Sequence, residues 1–160
     1  MKIKIMSRRA IEKYMQAPAK EKTAVISITD FGCDYATLKN MPEYLYQVAF
    51  DDVDNDIMID ELGKETTEEE IKKLEVKYNM FSDEQASAVA EFYFVVCDKV
   101  DCLICQCEHG QSRSAAVAAA ILEFKARKGI SVFSDDRYYP NKVVFRKVLK
   151  ALREFASSKY

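Results

Sequence analysis

The chain has 160 residues, of which 49% are apolar and 31% charged, with only four glycines and three prolines; this describes one globular domain with a sizeable core and little disordered linker. A formal net charge of −2 excludes the basic footprint of a general nucleic-acid binder, while an anionic substrate needs only local positive charge. No apolar run is long enough to span a bilayer, the first six residues alternate like a strand and lack a signal-peptide core, and an odd count of five cysteines reads as reduced thiols, so a cytoplasmic location is expected.

Residues 2–6 form the first predicted strand. Ser7 is placed to cap a helix over residues 8–14, with Ile11, Tyr14 and Met15 on one face and Pro18 beyond its end. Residues 23–29, Thr-Ala-Val-Ile-Ser-Ile-Thr, are β-branched and apolar enough for a central strand buried on both faces. Asp30-Phe31-Gly32 turns out of it. A third strand over residues 45–50 runs into the carboxylate cluster Asp51, Asp52, Asp54 and Asp56, a setting typical of a functional loop. Thr67 with Glu70 and Ser82 with Gln85 are capping-box pairs that open two helices, the first short and highly charged. In the second, Ala86, Val89, Ala90, Tyr93, Phe94 and Cys97 recur at helical spacing.

A fourth strand, ending near Gln106, leads through a loop into an alanine-rich helix over residues 115–128, with Gly129 as its expected C-terminal cap. Residues 134–139 read as a loop, and Pro140 as the start of a last helix whose stripe is Val143, Val144, Val148, Leu149, Leu152 and Phe155. The order predicts a single α/β domain over residues 1–160. It would have a mostly parallel sheet of about four or five strands, helices on both faces, and a charged insert at about residues 55–80 that forms a lid, a partner surface or simply a solvated face.

The chemistry concentrates in Cys107-Glu108-His109-Gly110-Gln111-Ser112-Arg113-Ser114. Between a strand and a helix, the amides of residues 108–113 surround a concavity at a helix N-terminus, an anion site by geometry and dipole. Gly110 permits a turn that a side chain would hinder. Arg113 adds a planar fork suited to phosphate, and the same field stabilises a thiolate on Cys107, placed for in-line attack on a bound phosphate.

The stretch resembles the C-x-x-G-x-x-R-[ST] signature of the cysteine-dependent protein tyrosine and dual-specificity phosphatases, matching it at Cys107, Gly110, Arg113 and Ser114, with Ser112 completing the dual-specificity form S-R-S. The resemblance implies a protein-tyrosine-phosphatase-like fold and hydrolysis of phosphate monoesters through a phosphocysteine. Cys107 would be the nucleophile and Ser114 the aid to thiolate departure. Arg113, with Glu108, His109, Gly110, Gln111 and Ser112, would bind the phosphate. The family also requires an aspartic acid as proton donor; Val48-Ala49-Phe50-Asp51-Asp52 resembles the family's strand and selects Asp52, with Asp54 and Asp51 next in line. Tyr139-Pro140-Asn141 and Phe145 resemble the segment before the family's last helix. The sequence departs from the pattern in three ways: Gln106 stands where histidine usually precedes the nucleophile, the path from Asp52 to Cys107 is longer than usual, and Glu108 puts a carboxylate in the cradle.

The substrates implied are phosphorylated proteins or small phosphate esters, with no cofactor, no metal, no nucleic acid and no membrane partner. Cys102, Cys105, Cys107 and His109 could suggest zinc, but strand alternation sends Cys102 to the face opposite Cys105 and Cys107, and the spacing is unlike paired zinc knuckles. Cys105 reads as core, or as a thiol able to protect Cys107 in a transient disulfide. Arg137 is a candidate for a second anion at the rim, or an exposed loop arginine. The rival functions are a phosphopeptide-binding pseudophosphatase and a rhodanese-like sulfurtransferase or arsenate reductase; the serine after Arg113 and the upstream aspartate favour the phosphatase.

Overall fold

The computed structural model describes residues 1–54 and 67–159. Four strands, β1 (Lys2–Ser7), β2 (Thr23–Thr29), β3 (Tyr44–Ala49) and β4 (Cys102–Cys107), form one sheet in the order β1-β4-β2-β3. All three pairings are parallel, with Ile5 opposite Cys105 and Ile26 opposite Cys105 across the two central junctions. Every residue of β2 and β4 is buried, as a parallel sheet covered on both faces demands. Ala24, Ile26, Ile28, Leu103, Cys105 and Cys107 point into the larger core, whereas Val25, Cys102 and Ile104 point into a smaller one with Ile11 and Met15. The predicted separation of Cys102 from Cys105 and Cys107 is therefore present.

Helix α1 (Arg8–Tyr14) covers the smaller core, its N-terminus capped by Ser7. The larger core is closed by α3 (Asp83–Val96), α4 (Arg113–Ala126) and α6 (Lys142–Ser158). Helix α2 (Glu68–Lys77) buries only Leu74 and is joined to α6 by Lys147, whose Nζ lies 2.5 Å from Glu75. Both expected capping boxes form, at Thr67–Glu70 and Ser82–Gln85. Gln85 does more than cap: its Nε2 donates to the Ala49 carbonyl at 3.0 Å, fastening the start of α3 to the end of β3.

Two helix ends differ from expectation. Helix α4 ends at Ala126, and Arg127, not Gly129, takes the left-handed cap position with φ 53°. Gly129 instead precedes the short α5 (Ile130–Phe133); it is needed for close approach, because a Cβ there would lie 2.8 Å from the Ala119 carbonyl oxygen. The last helix begins at Lys142 rather than at Pro140, because Asn141 Oδ1 accepts from Val144 N at 3.1 Å and makes Asn141 the cap. The first part of the expected charged insert, residues 55–66, lies outside the described residues; most of its later part is α2.

Candidate functional site

Parallel strands bring their carboxyl ends to one edge, where open α/β sheets place their ligands. Here that edge carries Ser7 at the end of β1 with Arg8 following it, Asp30 after β2, Phe50 to Asp52 after β3, and Cys107 at the end of β4. Cys107 is 2% exposed and its Sγ lies 3.0 Å from Ser114 Oγ in the first turn of α4. Gly110 turns the intervening loop with φ +67°; a Cβ there would lie 2.6 Å from the backbone nitrogen of Ser7. The loop is thus wedged against the β1–α1 junction, and only a hydrogen fits.

Ser112 occupies the N-cap of α4 but does not cap it. Its hydroxyl donates to Asp52 Oδ1 at 2.8 Å, so the first amides of α4 are left uncapped by a side chain, with the positive end of the helix dipole behind them. Asn141 Nδ2 donates to the same Asp52 oxygen at 2.9 Å and to the Val53 carbonyl at 3.0 Å. The structure thus brings Asp52 to the loop. Asp51 is turned elsewhere: its carboxylate accepts from Phe31 N at 3.0 Å and from Asn79 Nδ2 at 3.4 Å, which makes it a brace between β2, β3 and the end of α2.

The Arg113 guanidinium is 6% exposed and is held from one side. Its NH1 lies 2.7 Å from Asp30 Oδ1 and donates to the Phe50 carbonyl at 2.7 Å. Its Nε is buried and has no partner. An unpaired donor on a buried cation is costly, at about 1–3 kcal/mol or more, and a bound oxyanion would satisfy it.

The other loop side chains divide. Glu108, expected to line the cradle, is pulled away from it: Arg8 Nε donates to Glu108 Oε2 at 2.6 Å, and Arg8 N to the Glu108 carbonyl at 3.1 Å. Arg8 NH2 continues to Thr29 Oγ1 and the Asp34 carbonyl. The ion pair neutralises the carboxylate that would otherwise repel an anionic substrate. His109 and Gln111 are exposed, and the Gln111 carbonyl accepts from Tyr139 N at 2.8 Å. Gln106, in the histidine's place, is fully buried; Ser27 Oγ donates to its Oε1 at 2.6 Å, while its Nε2 has no partner. Arg137 is paired in bidentate fashion with Asp135, and its fork is committed there rather than to a second anion.

Burial pushes the Cys105 thiol far up, with Cys107 a secondary cause, and raises Cys102 as well; both are core thiols. Among the described residues no group of three or more His, Cys, Asp or Glu gathers as metal ligands. No helix there is long and apolar enough to cross a membrane.

Sequence reasoning missed Asp30, Arg8 and the role of Asn141. Asp30 and Arg8 follow strand ends, so the carboxyl-edge rule could have found them. Asn141 was visible as part of Pro-Asn, but its bond to Asp52 spans 89 positions and leaves no local trace.

No protein-family model matches the chain, and no curated protein matches it. Among solved structures it is similar to a mouse protein described as a dual specificity phosphatase, complexed with zinc tungstate, at 19% identity and a TM-score of 0.50 over 98% of this chain and 86% of that one. Human DUSP28 gives 16% identity and a TM-score of 0.48 over 98% and 94%. The mouse structure settles the fold alone: a single α/β domain of the dual-specificity-phosphatase type.

Proposed function

We propose that this chain, with its dual-specificity-phosphatase-like fold, is a phosphatase that hydrolyses phosphate monoesters of proteins through a phosphocysteine. The observation that carries the reading is the buried, unpartnered Arg113 Nε at the uncapped start of α4, in the loop that begins with Cys107. It is a cation with a donor to spare, at the position where the proposed mechanism puts the phosphate.

In the first step the Cys107 thiolate attacks phosphorus while the ester oxygen departs with its electron pair. Asp52, protonated at the outset, gives that oxygen a proton. Arg113 and the loop amides of residues 108–113 hold the equatorial oxygens as charge builds on them. In the second step water attacks the phosphocysteine, Asp52 takes the water's proton, and the S–P bond breaks to release inorganic phosphate. Ser114 Oγ, 3.0 Å from Sγ, donates to the departing thiolate. Ser112 and Asn141 both bind Oδ1 of Asp52 and so fix the acid against the loop. Asp30 turns the Arg113 fork, and Arg8 holds Glu108 out of the cradle.

A screen of an aryl phosphate, phosphopeptides and phosphoinositides tests the reading. Cys107→Ser is expected to abolish turnover while keeping oxyanion binding, and turnover that persists would sink the mechanism. Gln106 favours one rival, a phosphopeptide-binding pseudophosphatase, because it replaces the usual histidine with a neutral amide. Tight phosphopeptide binding by the unaltered chain without hydrolysis would establish that rival.

A further inference from the structure

A groove of about 370 Å³, walled by residues that follow β2 and end β3 and by α2 and the start of α3, is left unused by the chemistry above. Phe31, Ala49, Val76 and Met80 supply its apolar lining, with Lys72 and Glu84 among the charged members. Phe31 is 62% exposed and Val76 79% exposed. Single exposed apolar side chains are ordinary, but two from separate elements lining one concavity mark a binding surface.

Its position identifies the occupant. Phe31 follows Asp30, whose carboxylate lies 2.7 Å from Arg113 NH1. The Phe31 N–H donates to Asp51, and Asp51 adjoins Asp52, which is bonded to Ser112 in the loop. The groove thus has one wall at Phe31, whose chain neighbour Asp30 pairs with Arg113 and whose N–H holds Asp51, the chain neighbour of Asp52. An extended polypeptide advances about 3.3 Å per residue, so a residue a few positions from one held in the loop is within reach of Phe31. The charge of the lining argues for a peptide over a polyphosphorylated headgroup: Glu75 is neutralised by Lys147 at 2.5 Å, and Lys72 is offset by Glu84, so no surplus positive charge faces the groove. An apolar side chain meets the apolar lining there, while additional phosphates find no net positive charge to hold them.

We propose that this groove is a specificity subsite for a phosphorylated polypeptide bearing a bulky apolar side chain about one to three positions from the phosphorylated residue. The proposal rests on the phosphatase reading and names its substrate class.

The test compares kcat/KM for p-nitrophenyl phosphate and for two phosphotyrosine peptides, one flanked by leucines and one by glycines, with the full chain and with Phe31→Ala and Val76→Glu. The unaltered chain is expected to prefer the leucine peptide by about tenfold, the discrimination an apolar pocket supplies. Both variants should erase that preference and leave the aryl phosphate within about twofold. A leucine preference that survives both variants overturns the subsite, as does a chain that treats the two peptides alike. Absence of aryl phosphate turnover would overturn the phosphatase reading instead. In that case the affinities of Cys107→Ser for the same two peptides decide the groove by themselves: a preference for leucine lost with Phe31→Ala supports it, and equal affinities refute it.

Discussion

In the proposed mechanism Asp52 and Ser114 act on opposite ends of the same reaction, so their loss should look different. Asp52 accepts two hydrogen bonds on Oδ1, and an asparagine could accept the same pair while supplying no acidic proton. Asp52→Asn is therefore expected to keep the loop intact and to lower turnover of a phosphopeptide by about 10²–10⁴-fold, the range of general acid catalysis. The loss should be smaller for p-nitrophenyl phosphate, whose leaving group departs without help. A phosphopeptide rate equal to that of the unaltered chain would move the acid to Asp51 or Asp54. Ser114→Ala removes the hydroxyl 3.0 Å from Cys107 Sγ. Its expected signature is kinetic: a rapid burst of nitrophenol followed by slow steady turnover, because the phosphocysteine forms and then waits. Stopped-flow absorbance that shows no burst would remove Ser114 from the second step.

At the scale of elements, the loop's shape is held from outside. Gly110 fits against β1 where no side chain can, and Arg8 gathers Glu108, Thr29 and Asp34 from three segments. Gly110→Ala would require both a left-handed alanine and a displaced backbone, and overpacking of this kind costs about 1–3 kcal/mol. A lower melting temperature with activity lost even at low temperature is the expected result; full activity in the folded variant would show that the wedge does not shape the cradle. What was legible here divides on locality. The capping boxes at Thr67 and Ser82 satisfy amides three residues away and were readable as patterns. The ends at Arg127 and Asn141 were not. Gly129 looked like the left-handed residue but serves close packing on Ala119, and Pro140 looked like a helix start but stands before the Asn141 cap. The thiol, glycine, arginine and serine of the loop were equally readable, since one short segment carries them. Asp30, which turns the arginine, sits 83 positions away from it and could be recognised only once the sheet had brought the two strand ends together.

For the whole molecule, the buried sheet sets how stability responds to alkali. Cys105 and Cys102 titrate above the ordinary thiol value of 9.0 because burial disfavours the thiolate. Tyr46 and Tyr93 are likewise raised above 10.0 by burial. A raised acid of this type stabilises the fold fully below its unfolded value and loses that contribution as pH rises through its folded value. Stability measured by urea unfolding should therefore be insensitive to these groups below about pH 9 and should fall above it. Cys105→Ala should flatten part of that fall; an unchanged slope would assign the alkaline sensitivity to Cys102 and the tyrosines.

The bonds that complete the site join residues far apart in the chain: Arg8 to Glu108 across 100 positions and Asn141 to Asp52 across 89. Contacts between distant segments are the slow ones to form, because chain entropy must be lost before they repay it. Until α6 has begun at Asn141, Asp52 has only its Ser112 bond to the loop. A chain emerging from synthesis could therefore hold its thiol and arginine in place before Asn141 arrives, so the second anchor of Asp52 is made only once α6 has formed.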